Sequence, residues 1–273
     1  MDFFQAAILG IIQGLTEFLP VSSSGHLILA PRLFGWTDQG LAFDAVVHLG
    51  TLLAIIIYFR KRLWAILSGI FERGSNSRFS RRLGLLLILS VIPAGLVGFF
   101  GEEWITGHTR SVSVVAAGLI GWGIVLFFAD RFNQRLAQRA PQALADTYHI
   151  SAGKAAFIAC AQAIAFFPGT SRSGITMTAG LFAKLNKKSA AEFSFLISIP
   201  VIFLGGMVKL FDIIQGEAAG AAGAGALSVG FLAAAASGFF AIDALMKIIQ
   251  KWNYTPFVVY RIALGLFLLF FIA

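Results

Sequence analysis

The chain has 273 residues, 58% of them apolar and 12% charged, with a mean hydropathy of +0.83 and a formal net charge of +8. A soluble domain carries about 45–50% apolar and 25% charged residues, so a water-soluble fold is excluded and an integral membrane protein is predicted. The basic excess does not indicate nucleic acid, because the lysines and arginines lie between apolar runs and not beside aromatic readers on a soluble face; the positive-inside rule accounts for them.

The apolar runs approach the roughly 20 residues that a helix needs to cross a bilayer and lack the short alternation of barrel strands. An all-α polytopic protein of the inner membrane is predicted, one domain over 1–273. Its start, Met1-Asp2-Phe3-Phe4, has no basic n-region of a cleaved signal. Cys160 stands alone in an apolar run, which leaves it a packing role.

Residues 3–18 form a helix-length segment that Pro20 and three serines stop short of a span, and 24–35 form a second short piece. Short apolar segments joined by polar residues predict a re-entrant helical hairpin, tolerated only where it is buried in protein or lines a water-filled cavity. At its tip is a polar island running from Gln13 through Glu17 and Ser22-Ser23-Ser24-Gly25 to His26. Residues 41–59 are a full span, and Arg60, Lys61, Arg62, Arg73, Arg78, Arg81 and Arg82, against Glu72 alone, predict a cytoplasmic loop after it. Residues 83–101 return to the far side at Glu102 and Glu103, and 112–129 come back to a loop bearing Arg131, Arg135 and Arg139.

Residues 152–167 and 173–183 make a second short pair, flanked by Lys154 and by Lys184, Lys187 and Lys188, so this hairpin enters and leaves from the cytoplasm. Its tip is a second island, Pro168-Gly169-Thr170-Ser171-Arg172-Ser173-Gly174-Ile175-Thr176. Spans near 190–211, 226–246 and 255–273 bring the total to about six. Lys247 and Lys251 fall inside and the Gly/Ala-rich linker at 216–225 outside. At one constant offset Gln13 pairs with Gln162, Phe18 with Phe167, Ser22 with Ser171, Ser24 with Ser173 and Gly25 with Gly174. The two hairpins begin on opposite sides, so inverted-topology repeats over approximately 1–130 and 150–273 are predicted, with broken segments meeting near mid-membrane.

Glu17 is the most informative residue, since a carboxylate in a membrane segment costs at least about 2.5–3.5 kcal/mol and persists with a partner or a task. It reads as a general base or as a ligand for a divalent cation, Mg²⁺ or Ca²⁺, that shares phosphate oxygens with the substrate. Ser22, Ser23 and Ser24 cap the next helix or supply a nucleophile. His26 packs or moves a proton. Arg172, among Gly169, Thr170, Ser171, Ser173 and Thr176, snorkels to head groups or grips phosphate oxygens in a fork. Gln13 shares the Glu17 face of its helix. Asp44 and His48 support the site or form a helix-surface pair, and Glu192, Tyr260 and Arg261 are expected in packing or interface positions.

The two islands together resemble the paired signature of the BacA-type undecaprenyl-diphosphate phosphatases, bacterial membrane enzymes of lipid-carrier recycling, and AEFSFLISIP at 191–200 and PFVVYR at 256–261 also look like family segments. The first motif here begins with Gln13, leaving Glu17 its only carboxylate. The resemblance implies hydrolysis of a polyprenyl diphosphate, a role in cell-wall synthesis and bacitracin resistance, an outward-facing periplasmic site and Ser23 as the aligned nucleophile, with water as the alternative. Glu17, Ser23, His26 and Arg172 are then catalytic, and Gln13, Ser22, Ser24, Gly169, Thr170, Ser171, Ser173 and Thr176 bind substrate. The rival reading is a secondary transporter or lipid flippase, because inverted repeats with broken helices are a common transporter plan.

Overall fold

The computed structural model describes every residue except 72–74, 110, 148, 216–221 and 273. Glu72, Arg73 and most of the Gly/Ala-rich linker therefore lie outside the described residues, as do the side chains of Glu102 and Glu103. The chain is 85% helix without strands among the described residues; an isolated bridge joins Ala145 to Leu185.

Helix α1 (Phe3–Phe18) starts at a capping box in which the Asp2 side chain accepts from Gln5 N at 2.7 Å and the Gln5 side chain accepts from Asp2 N. It turns back into α2 (Ser23–Phe34), and the same plan recurs where α8 (Ala152–Ala163), extended by a 3₁₀ turn at Ile164–Phe166, turns into α9 (Arg172–Phe182). Five stretches are long and apolar enough to cross a membrane: Gly40–Tyr58, Arg78–Gly101, Val112–Arg139, Lys187–Phe211 and Ala224–Lys251. They correspond to α3 (Gly40–Tyr58), to α5 (Ser75–Leu89) with α6 (Val91–Thr109), to α7 (Val112–Arg139), α10 (Lys187–Ile214) and α11 (Ala224–Lys251). The last expected span, α12 (Thr255–Phe271), has 17 residues.

Two expectations change. The segment predicted as a basic loop forms α4 (Arg60–Phe71), because Leu63 and Ile66 recur at helical spacing and join Leu83 and Leu87 of α5 in the core. The basic residues after 129 are carried on a continuation of α7 to Arg139, not on a loop. A break at Ser90 separates α5 from α6, where Pro93 cannot supply the N–H that would hold the Leu89 carbonyl.

The largest core cluster centres on α9 and α10, where Met177, Leu181, Phe193, Phe195, Leu196 and Ile197 are wholly buried. Phe18 at the end of α1 meets Phe195 edge-on at 5.5 Å, which fixes the first hairpin against α10. α1 lies so close to α11 that a Cβ on Gly14 would collide with Ser237 Oγ and sit 2.5 Å from the Ala234 carbonyl. Phe99, Phe100, Phe240 and Phe270 point outward, as suits helices facing lipid.

Candidate active site

Both hairpin turns use the same device. Ser22 (φ 75°) and Ser171 (φ 70°) each immediately precede a helix in positive-φ backbone, a conformation that costs a non-glycine residue about 1–3 kcal/mol and is kept where surrounding structure enforces it. The turn delivers Ser23 and Arg172 as the first residues of α2 and α9, at the helix ends whose free N–H groups favour an anion. Gly169 (φ 82°) adopts the left-handed region, and a Cβ there would strike the Val115 carbonyl of α7.

Glu17 is the point at which the two islands meet. Its Oε1 accepts from Arg172 Nη2 at 2.5 Å, while Oε2 accepts from Ser23 Oγ at 2.6 Å and from Gln13 Nε2 at 3.0 Å. The Glu17 and Arg172 side chains are only 5% and 13% exposed, so the carboxylate has exchanged water for charge-assisted bonds from both hairpins. A further partner comes from α3: His48 Nε2 stands 3.5 Å from Glu17 Oε2. Its Nδ1 lies 2.7 Å from the Asp44 carbonyl, which can only accept, so Nδ1 carries a proton and Nε2 is the atom turned to the carboxylate. Asp44 itself takes a 2.7 Å bond from Gln39.

A phosphate-sized anion beside Ser23 and Arg172 would face one hydroxyl, one guanidinium and two helix N-termini, with a carboxylate in place to accept the hydroxyl proton. No group of three or more His, Cys, Asp and Glu suited to a metal ion occurs among the described residues. Gln13 Oε1, however, is buried beside Glu17 without a hydrogen-bond partner, an unpaired hard donor next to the carboxylate.

The sequence model for the bacitracin resistance protein BacA family matches residues 6–267. The chain belongs to this family. It is similar over its whole length to an undecaprenyl-diphosphatase of Alcanivorax borkumensis, at 43% identity with 100% of both chains covered. It is 44% identical to undecaprenyl-diphosphatase 2 of Stutzerimonas stutzeri (98% of each chain) and 40% identical to undecaprenyl-diphosphatase 1 of Pseudoalteromonas translucida (100% of this chain, 99% of the other).

Against the expectations raised by the family resemblance, the structure joins Gln13, Glu17, Ser23 and Arg172 in one cluster and adds His48. His26 is turned elsewhere. Its Nδ1 donates to the Ser22 carbonyl and its Nε2 accepts from Tyr260 Oη, both at 2.7 Å, with the two rings stacked. Of the serines, Ser22 Oγ does not cap α2 but faces the exposed Ser24 at 3.4 Å. Capping occurs in the second island, where Ser171 Oγ accepts from Gly174 N at 3.1 Å. Ser173 Oγ ties the islands together through the Leu19 carbonyl at 2.9 Å.

Thr176, named above among the substrate-binding residues, lies on the α10 side of α9. It is wholly buried under α9, bonded to the Arg172 carbonyl at 2.7 Å and to Ser194 Oγ at 2.6 Å, because its position one turn into the helix faces α10 and not the turn. Thr170 is also buried, with its hydroxyl unpartnered. Sequence reasoning passed over Ser194, whose carbonyl accepts from Arg172 Nη1 at 3.4 Å; its signal was a hydroxyl in the family-like segment at 191–200.

Proposed function

We infer that this protein hydrolyses undecaprenyl diphosphate to undecaprenyl phosphate and phosphate, recycling the lipid carrier of cell-wall synthesis. The observation that carries this reading is the Glu17 cluster, which brings a hydroxyl from one hairpin and a guanidinium from the other onto one buried carboxylate. The diphosphate sits between the N-termini of α2 and α9, where it competes with Glu17 for the Arg172 fork, and the isoprenoid tail lies in lipid. Ser23 Oγ attacks the terminal phosphorus and passes its proton to Glu17 Oε2. The bond from that phosphorus to the bridging oxygen breaks, and undecaprenyl phosphate departs. Undecaprenyl phosphate carries that proton away on its former bridging oxygen, so Glu17 is ionised again when water hydrolyses the phosphoserine; Glu17 takes the water's proton and returns it to Ser23 Oγ as phosphate leaves. Phosphoryl transfer asks mainly for positioning and charge neutralisation, which this arrangement supplies. His26 reaches the reacting atoms only after Tyr260 releases Nε2, so its part in proton movement is at the rim of the site.

Gln13 Oε1 and Glu17 would hold a divalent cation, Mg²⁺ or Ca²⁺, together with the substrate phosphates. The chemistry it supplies is neutralisation of charge on the diphosphate. The purified protein is expected to release phosphate from undecaprenyl diphosphate and to slow on chelation. Ser23→Ala is expected to abolish turnover; a substantial residual rate would assign the attack to water.

Six spans, two re-entrant hairpins and inverted repeats complete the proposed architecture in the bacterial inner membrane. The matching positive-φ serines and the repeated hydroxyl contacts, Ser22 to Ser24 at 3.4 Å and Ser171 to Ser173 at 3.2 Å, support the repeat. The basic faces of α4 and α7 support a site open to the periplasm. In a Cys160→Ser background, Ser24→Cys is therefore expected to react with an impermeant thiol reagent added outside. Labelling only from the cytoplasm would reverse the orientation.

A further inference from the structure

Arg261 is the largest wholly buried side chain among the described residues, and the partners of its guanidinium are backbone carbonyls. Nη1 donates to Pro20 O at 3.1 Å, in the first turn. Nη2 donates to Gly169 O at 2.9 Å and Thr170 O at 3.0 Å, in the second. Nε and Nη2 also reach Leu119 O and Gly118 O on α7, both at 3.2 Å. No carboxylate pairs with the guanidinium among the described residues. Burying a charge in this way is costly unless its hydrogen bonds are complete, and here those bonds span three separate parts of the chain. The planar fork sets fixed directions for its donors, so the carbonyls of the two turns are held at a defined separation.

We propose that Arg261 is a positioning residue of the site: it clamps the two hairpin turns together and thereby sets how Ser23 and Arg172 meet across Glu17. This rests on the diphosphatase reading only for its kinetic consequence. Pro20 stands three residues before Ser23, and Thr170 two before Arg172, so a shift of either carbonyl moves a reacting group. The trans peptide after Thr170 also puts the Ser171 N–H on the side opposite the clamped carbonyl. The clamp accounts for Gly174 as well, since a Cβ there would lie 2.8 Å from Arg261 Nη1.

The test begins with a measurement that needs no substrate. Nitroxides at Ser24 and Phe167, both exposed residues beside the two turns, report the turn-to-turn distance by electron double resonance in the Cys160→Ser background. A single narrow distribution is expected in the parent and a broadened or shifted one in Arg261→Met. An unchanged distribution in folded Arg261→Met overturns the clamp whatever the protein hydrolyses. Kinetically, kcat is expected to fall about 100-fold with KM changing less than about threefold, the effect of displacing groups by about an ångström. Arg261→Lys keeps the charge but not the fork and is expected to remain impaired; full rescue by lysine would make the role one of charge and overturn the proposal. Gly174→Ala pushes on the guanidinium without removing it, which keeps the question open to test should Arg261→Met not fold. It is expected to lower kcat in the parent and to add little in Arg261→Lys. Parental kcat and an unchanged nitroxide distance in Gly174→Ala would count against the clamp.

Discussion

Glu17→Gln is expected to lower kcat/KM by about 10²- to 10⁴-fold, the range that a positioned acid or base contributes. The amide keeps the volume and can still accept from Ser23, but it cannot take the proton of the attacking hydroxyl, which lies 2.6 Å from Glu17 Oε2. It also leaves the Arg172 guanidinium, 13% exposed, without its 2.5 Å counter-ion. Removing one partner of a buried ion pair destabilises by about 3–5 kcal/mol, so loss of fold must be separated from loss of chemistry. The double variant Glu17→Gln/Arg172→Gln removes both charges and is expected to recover thermal stability while staying inactive. A stable Glu17→Gln protein within about threefold of the parent, less than 1 kcal/mol by rate arithmetic, would remove the carboxylate from the mechanism.

Arg172→Lys tests whether the second island grips the diphosphate. Lysine preserves the charge and can satisfy Glu17, but its point-like ammonium cannot match two phosphate oxygens as a fork does. Loss of a buried charge-assisted contact is worth about 2–5 kcal/mol when the partner charge is left unpaired, equivalent to a roughly thirty-fold to several-thousand-fold fall in kcat/KM. An arginine whose only task was to neutralise Glu17 or to reach lipid head groups would tolerate the exchange, because lysine does both. Near-parental kcat/KM in a stable Arg172→Lys protein would thus leave Arg172 a structural ion and move the anion site elsewhere.

The two variants divide the site by chemistry. Glu17→Gln acts on proton transfer and is expected to appear mainly in kcat, whereas Arg172→Lys acts on phosphate in ground and transition states and is expected to move KM as well. A cation held through Gln13 and Glu17 would bind more weakly in Glu17→Gln, raising the metal concentration needed for activity, and would keep its parental affinity in Arg172→Lys.

Hydropathy and charge determined by themselves that the protein is helical and lies in a membrane, because long apolar runs leave the backbone no other way to satisfy its hydrogen bonds in lipid. They also marked Glu17, the serines at 22–24 and Arg172, since polar groups in such surroundings are too costly to be incidental, while Ser23 was singled out only by the family resemblance. The family motifs then gave these residues a chemistry. The tertiary structure alone decided which of the polar groups touch. His26, near Ser23 in sequence, turns to Tyr260, while His48, from a different helix, reaches Glu17. Thr176, inside the second motif, faces α10, and Arg261, outside both motifs, binds both turns. None of these follows from spacing along the chain, because each depends on the direction in which a helix face or a five-donor fork points once separate segments have packed. Even the basic segment after α3, read as a loop from its charge, became a helix because Leu63 and Ile66 found Leu83 and Leu87 to cover.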